Sequence, residues 1–138
     1  MKIFLDANIL VSVLNKEYPL FTYAARIVSL VDNKKFTVYT SPVCLAIAFY
    51  FAEKKSGTKM AKQKIKLLSE KIGITNVGKN EVLLALENPQ VNDFEDGIEY
   101  YAAVNNNCDV IITEDTGDFY FADIKVCKAQ NFLTEYLF

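Results

Sequence analysis

Four aspartates are the residues in this 138-residue sequence best suited to act together in chemistry: Asp6, Asp96, Asp115 and Asp118. Carboxylate oxygens are the ligands that Mg²⁺ and Mn²⁺ prefer in proteins. Hydrolysis of a phosphodiester needs such a cation to activate water and to neutralise charge on the phosphorus, and it needs no nucleophile from the protein. Asn8 and Thr113 are polar neighbours that could orient a carboxylate or a water molecule. The pattern therefore predicts a metal site with two supporting polar groups.

The composition excludes several other kinds of catalytic site. The sequence has no histidine, which rules out Ser–His–Asp triads, Cys–His pairs and His-ligated zinc. Its three cysteines, at positions 44, 108 and 127, lack the CxxC spacing of zinc sites and are odd in number for a disulfide framework. All three lie in apolar segments, which is typical of small core residues. Carboxylates, amides, hydroxyls and basic side chains are left to do any chemistry.

Structural roles also explain the acids, and the sequence leaves both interpretations open. From Glu81 to Asp123 there are eleven acids and no Lys or Arg, which indicates either a solvated acidic face or a cation site. Asp6 is suited to be the N-cap of a following helix. Asp96 stands three residues after Asp93, a spacing typical of capping, and Asp115 and Asp118 share that spacing. We interpret three glutamates as solvated charges, the second of them also as a group supporting Asp96: Glu53, Glu95 and Glu114.

Short apolar segments alternate with helical patterns along the chain. The predicted strands are Lys2–Leu5, Phe36–Thr40, Ile74–Val77, Asp109–Thr113 and Ile124–Val126. The predicted helices are Ala7–Asn15, Pro19–Lys35, Pro42–Lys55, Thr58–Lys71, Glu81–Glu87, Phe94–Asn105 and Gln130–Phe138, with a tight turn at Asp115–Tyr120. This order predicts an α/β fold of three layers, α/β/α, around a parallel sheet of four to five strands. The length of 138 residues predicts one domain, residues 1–138.

The predicted fold brings most of the aspartates to one edge of the sheet. In open parallel sheets, ligands bind beyond the carboxyl ends of the strands. Asp6 directly follows the first predicted strand, and Asp115 and Asp118 follow the fourth. These carboxylates are therefore expected to meet at a single edge.

Two helical segments suggest partners. Seven lysines lie between Lys54 and Lys71, and four of them share one side: Lys55, Lys59, Lys62 and Lys66. That side could follow a phosphate backbone, or it could be a solubilising helix face. The helix from Pro42 is apolar nearly all round, which is typical of a core helix or a subunit interface. No segment is apolar enough to span a membrane and no signal-peptide pattern is present, so we expect a cytoplasmic protein.

Three segments together resemble the PIN domain, and most closely its small bacterial branch related to VapC-type toxin ribonucleases. They are KIFLDANILVSVL, NDFEDGIEYYAAVNNNCDVIITEDTGDF and IKVCKAQNFL. The resemblance implies a parallel sheet between helices, cleavage of RNA with Mg²⁺ or Mn²⁺, and a homodimer. It also implies an antitoxin partner if the chain is the toxin of a toxin–antitoxin pair. The acids that match the family's metal-binding positions are Asp6, Asp96, Asp115 and Asp118.

One position departs from the family pattern. PIN nucleases usually carry a Glu in the helix after the second strand, and here Ile47 stands at the best-aligned position, with Glu53 the nearest acid. The sequence therefore supports two hypotheses, a metal-dependent endoribonuclease and a catalytically inactive module that binds RNA or protein. A third hypothesis is a phosphatase that uses Asp6 as its nucleophile. That chemistry usually requires a second acid two residues later, and Asn8 occupies that position.

Overall fold

A computed structural model describes residues 1–137 and contains one parallel five-stranded sheet. The strands are β1 (Lys2–Leu5), β2 (Thr37–Thr40), β3 (Gly73–Ile74), β4 (Val110–Ile112) and β5 (Lys125–Cys127). Their order across the sheet is β3-β2-β1-β4-β5, and every neighbouring pair is parallel. The chain thus builds one half of the sheet, β1 to β3, and then crosses to the other side of β1 for β4 and β5.

Seven α-helices within the described residues connect and cover these strands. They are α1 (Ala7–Asn15), α2 (Leu20–Val28), α3 (Pro42–Ser56), α4 (Thr58–Lys71), α5 (Lys79–Glu87), α6 (Phe94–Asn105) and α7 (Ala129–Leu137). Two 3₁₀ segments, Ser29–Asp32 and Thr116–Phe119, follow α2 and β4. Helix α1 packs against α2 and α3, α3 also packs against α4, and α5 packs against α6.

The central strands are buried on both faces, as the apolar segments predict. Ile3, Phe4 and Leu5 of β1 are fully buried, and so are Ile111 and Ile112 of β4. Because successive side chains of a strand point to opposite faces, consecutive buried residues require helices on both sides of the sheet. The predicted α/β/α fold with a parallel sheet is confirmed.

Several predicted boundaries were wrong by a few residues, and two have clear causes. Strand β3 ends at Ile74 because it lies at the edge and pairs only with β2, whose last residue, Thr40, is the partner of Ile74. The predicted helix Pro19–Lys35 ends at Val28, after which Ser29 donates its hydroxyl to the carbonyl of Arg26 at 2.7 Å. Such local side-chain bonds compete with regular helix geometry. Phe138, the last residue of the predicted closing helix, lies outside the described residues.

Gly97 sets how closely α6 approaches α5. A Cβ at Gly97 would lie 2.7 Å from Cγ1 of Val91 and 3.0 Å from Cβ of Ala85. We expect Gly97→Ala to lower the free energy of unfolding by about 1–3 kcal/mol, because the added methyl overpacks this contact. Gly117→Ala is the control, because a Cβ at Gly117 would meet no atom within 4 Å. Urea denaturation measures the free energy of unfolding of both variants and of the wild type. Equal stability of the two variants would contradict the close packing of α5 and α6.

No helix in residues 1–137 has both the length and the apolar character needed to cross a membrane.

Candidate metal centre

The candidate site lies at the carboxyl edge of the sheet, between β1 and β4. This is the point where the strand order reverses, because β2 and β3 lie to one side of β1 while β4 and β5 lie to the other. A crevice at such a switch point is the usual ligand site of an open parallel sheet. The backbone N–H of Asp6 donates to the carbonyl of Ile112 at 3.0 Å, which joins the two strand ends.

Asp6 occupies the centre of a hydrogen-bond network. Its Oδ1 accepts the N–H of Ala7 at 2.6 Å, so the residue is the N-cap of α1. Its Oδ2 accepts the hydroxyl of Thr113 at 2.7 Å. Thr113 is fully buried, and its oxygen in turn accepts the N–H of Asp115 at 3.0 Å. The capping interpretation of Asp6 is therefore right, but one oxygen performs it and the other faces the site.

Asn8 links the two strand ends through its side-chain amide. The Nδ2 group lies 3.3 Å from Oδ2 of Asp6, 3.0 Å from Oγ1 of Thr113 and 3.2 Å from Oδ2 of Asp115. Its Oδ1 accepts the N–H of Glu114 at 3.2 Å. This one side chain thereby holds carboxylates from two different loops in a fixed relation.

Helix α6 supplies Asp96 from its first turn. Asp93 is the N-cap of α6 and accepts the N–H groups of Glu95 at 2.9 Å and Asp96 at 3.2 Å. The capping role at this helix start therefore belongs to Asp93. The side chain of Asp96 is left to line the site, half-buried.

The remaining two aspartates flank the 3₁₀ segment after β4. The N–H of Asp118 donates to the carbonyl of Asp115 at 3.0 Å, which sets the spacing of the two residues. The side chain of Asp115 makes no capping bond to this segment. Both carboxylates are exposed and line the same pocket.

The site is an open pocket of about 450 Å³. Its lining includes all four candidate aspartates as well as Asn8, Glu17 and Glu95, with apolar walls from Val11, Leu20, Ile47 and Phe51. Within residues 1–137, no lysine or arginine contributes to the lining. Several negative charges therefore share one concave surface without a basic partner in it.

Crowding of these charges changes their proton affinities. Burial, and then the negative charges of Asp93 and Asp118, raise the pKa of Asp96 to about 7. Burial and the charge of Asp115 also raise the pKa of Asp118. A carboxyl whose charge is disfavoured by its neighbours gains most when a cation enters.

The donor set suits a hard divalent cation. The pocket presents carboxylate oxygens from the junction of β1 and α1, from α6 and from the segment after β4, and Mg²⁺ and Mn²⁺ bind such oxygens. The pKa values of Asp96 and Asp118 are raised by burial and because no lysine or arginine among the described lining residues offsets the repulsion among the acids of the pocket. The residues present therefore fit the ion that the sequence analysis predicts.

A family model of the PIN domain matches residues 2–117. This chain belongs to the PIN domain family. The match covers every residue of the candidate site except Asp118, which lies one residue beyond it. A search of curated proteins finds no significant match.

Solved structures resemble this PIN domain in fold at low sequence identity. VapBC2 from Rickettsia felis, bound to a DNA fragment from its promoter, has a TM-score of 0.70 at 17% identity over 93% of this chain and 98% of that one. VapC20 from Mycobacterium tuberculosis, described as a sarcin–ricin loop cleaving toxin, has a TM-score of 0.68 at 19% identity over 88% and 95%. VapBC-1 from nontypeable Haemophilus influenzae has a TM-score of 0.68 at 21% identity over 94% and 99%.

Glu99, near the site of this PIN domain, was missed in the sequence analysis, whereas Cys44 was predicted correctly as a small core residue but not as a neighbour of the site. Glu99 on α6 is 1% exposed, and Cys44 in the first turn of α3 is fully buried. Ligand-type atoms of Asp6, Cys44 and Glu99 all lie within 4.8 Å of one another. The position of Glu99, three residues after Asp96 on one helix, was the available signal, because residues at that spacing share a helix face.

Other candidate residues have defined places. Ile47, which the sequence analysis aligned with the usual family Glu, does line the pocket. Glu53 instead accepts the hydroxyl of Thr58 at 2.8 Å, at the junction of α3 and α4. Glu114 was wrongly interpreted as a solvated charge: it is half-buried, and its Oε2 accepts the N–H of Ala129 at 3.1 Å, the first residue of α7.

The predicted lysine side is divided between two helices. Lys55 belongs to α3, and its ammonium donates to the carbonyl of Asn15, whereas the others belong to α4. Gly57, at φ +85°, separates the two helices and breaks the helical spacing that the prediction assumed. Lys59 and Lys62 are exposed, and Lys66 forms an exposed ion pair with Glu70 at 2.7 Å.

Proposed function

We propose that this PIN domain is a Mg²⁺- or Mn²⁺-dependent endoribonuclease. The observation that carries the proposal is the convergence of four aspartates from three parts of the chain on one pocket without a basic side chain among its lining residues in the described chain. A divalent cation bound there supplies activation of water and neutralisation of charge on the phosphorus. The pocket is open to solvent, so we expect a phosphate of RNA to reach its aspartates.

The residues divide the work between binding and orientation. We assign cation binding to Asp6, Asp96 and Asp118, with Asp115 binding or orienting. Thr113 and Asn8 fix the direction of the Asp6 carboxylate through the hydrogen bonds at 2.7 and 3.3 Å, and Glu95 adds negative charge at the rim of the pocket. Fixed ligands bind a cation without first losing side-chain freedom, which is why such supporting groups raise affinity.

The proposed biological role is that of the toxin in a cytoplasmic toxin–antitoxin pair, with RNA as substrate and an antitoxin protein as partner. VapC20 is described as a toxin that cleaves the sarcin–ricin loop, and the other two similar structures are VapBC complexes. Exposed lysines of α4, Lys59 and Lys62, together with Lys55 and the paired Lys66, are the proposed phosphate contacts.

A homodimer is the proposed assembly, and α3 supports it. This helix buries a narrow stripe of small residues, Cys44, Ala48 and Ala52, while Tyr50 and Phe51 are 52% and 44% exposed. Large exposed aromatic side chains on one helix are typical of an interaction surface.

Ile47 favours a second candidate function, a PIN module that binds RNA or protein without cleaving it. An isoleucine in the pocket wall offers no ligand, so one fewer carboxylate is available than in the usual family pattern. Loss of a ligand weakens the binding of a second cation most, and a single cation with three or four carboxylates can still be held.

Calorimetric titration with Mn²⁺ tests the proposal without choosing an RNA. The wild-type protein is expected to bind Mn²⁺ saturably, and Asp96→Asn is expected to lose this binding because a charged ligand becomes a neutral amide. Asp123→Asn is the matched control, since Asp123 is exposed and precedes β5 at the opposite edge of the sheet. Absence of binding to the wild type, both alone and with added RNA, would favour the non-catalytic module.

A further inference from the structure

A second group of ligand-type side chains lies beneath the floor of the pocket. Asp6, Cys44 and Glu99 approach one another within 4.8 Å and are 8%, 0% and 1% exposed. They come from the end of β1, the first turn of α3 and the middle of α6. Only Asp6 also lines the pocket itself, so the other two belong to a separate, deeper layer.

Glu99 is the unusual member of this group. Its Oε2 has no hydrogen-bond partner among residues 1–137, although the side chain is almost completely buried. The carboxyl of Glu99 does hydrogen-bond with Asp6 and Cys44, but its Oε2 is left unpaired, and an unpaired buried polar atom costs free energy. An unpartnered oxygen beside a thiol and a second carboxyl indicates a site shaped for a ligand that all three can share.

The mixture of donor atoms selects among cations. A thiolate is a soft ligand that Mg²⁺ does not use, whereas Zn²⁺ binds sulfur at about 2.3 Å and carboxylate oxygen at about 2.0–2.2 Å. Around one tetrahedral ion these lengths place ligand atoms roughly 3.5 Å apart, so small side-chain movements close the observed group around Zn²⁺. Three protein ligands leave the fourth position to water, and Asp6 provides the connection to the open pocket.

We propose that Asp6, Cys44 and Glu99 form a Zn²⁺ site directly below the carboxylate pocket. Binding displaces the proton of the Cys44 thiol and any proton held by Glu99 to solvent, as metal sites require deprotonated ligands. Because Asp6 takes part in both layers, Zn²⁺ in the lower site removes Asp6 from the upper one. The expected inhibition of RNA cleavage by Zn²⁺ rests on the proposed function. The binding of Zn²⁺ itself does not depend on that function.

Co²⁺ is the probe for this site, since it replaces Zn²⁺ and shows a near-ultraviolet sulfur-to-cobalt charge-transfer band only when a thiolate is bound. The full chain, without RNA, is expected to develop this band saturably at one equivalent and to lose it when Zn²⁺ is added. Cys44→Ser is expected to abolish the band. Cys108→Ser and Cys127→Ser are matched controls that keep it, because these cysteines are also free and buried but belong to no such group.

Glu99→Gln is the second test variant, for use if Cys44→Ser does not fold, as judged by loss of cooperative thermal unfolding. This nearly isosteric change removes one charged ligand and is expected to weaken Co²⁺ affinity by at least about tenfold. A thiolate band that persists in Cys44→Ser, no band in the wild type, or unchanged affinity in Glu99→Gln would overturn the proposal. These measurements need no RNA. If the protein shows the band but cleaves no RNA, the proposed Zn²⁺ site stands and only the proposed nuclease function is rejected.

Discussion

Asp96→Asn is expected to reduce Mn²⁺-dependent RNA cleavage by about 100-fold or more while the fold stays intact. Among the four candidate aspartates, Asp96 is the one supplied by α6, and burial and acidic neighbours raise its pKa to about 7, so a bound cation stabilises its charged form. Loss of a group that merely orients a ligand costs roughly 10–100-fold, so loss of a ligand should cost at least the upper value. The measurement is the initial rate of cleavage of a labelled RNA pool at saturating Mn²⁺.

Asp123→Asn serves as the control for this rate measurement, and circular dichroism with thermal unfolding verifies the fold of each variant. We expect Asp96→Asn to unfold at the same temperature as the wild type or higher without metal, because the substitution relieves repulsion among the pocket acids. Equal cleavage rates for Asp96→Asn and the wild type would remove Asp96 from the catalytic machinery.

The affinity for Mn²⁺ is expected to fall by about 100-fold between pH 8 and pH 5. In the metal-free protein the pKa of Asp96 is about 7, so the carboxyl is ionised at pH 8 and protonated at pH 5. Below this pKa, binding must first displace a proton, which lowers the apparent affinity roughly tenfold per pH unit. Above it the affinity should level off. Titration calorimetry at several pH values gives the curve and its midpoint.

Asp93→Asn tests the cause of this pH dependence. The negative charge of Asp93 contributes to the raised pKa of Asp96, second only to burial. Asparagine caps helices about as well as aspartate, so the start of α6 is preserved while the charge is removed. We expect the midpoint of the Mn²⁺ affinity curve to move to lower pH. An unmoved midpoint would show that the charge of Asp93 does not set the pKa of Asp96, and an affinity that is flat from pH 8 to pH 5 would show that Asp96 does not control binding.

The fold was predictable because its strongest signals are local. The apolar segments of β1 and β4 end at polar residues, and Ala7–Asn15, Thr58–Lys71 and Phe94–Asn105 are helices with the bounds that the sequence predicts. Where the prediction failed, the cause is not local. Strand β3 stops at Ile74 because its only partner strand ends there, and no pattern within residues 73–77 carries that information.

The candidate site also has residues that the sequence predicts and one that only the packing of distant helices reveals. The edge on which Asp6, Asp115 and Asp118 meet follows from strand order. Asp96 was a candidate from its residue type, and the resemblance to the PIN family matched it to a metal-binding position. Glu99 was missed because an isolated glutamate in an acidic segment is typical of a solvated face. Only the packing of α6 against α3 shows that this carboxyl is buried beside Cys44. Burial of a charge depends on distant helices, and a single sequence does not specify it.

The reversal of strand order at β1 also bears on when the site can exist during folding. Strand β1 pairs with β2 about 35 residues later in the chain, whereas Thr113 and Asp6, which form the core of the site, are 107 residues apart. Closing the longer loop costs more chain entropy, and contacts so distant in sequence form late. Partly folded chains with β1 and β2 paired but β4 undocked therefore hold these carboxylates far apart. We therefore expect the proposed nuclease to become active only once the sheet is complete.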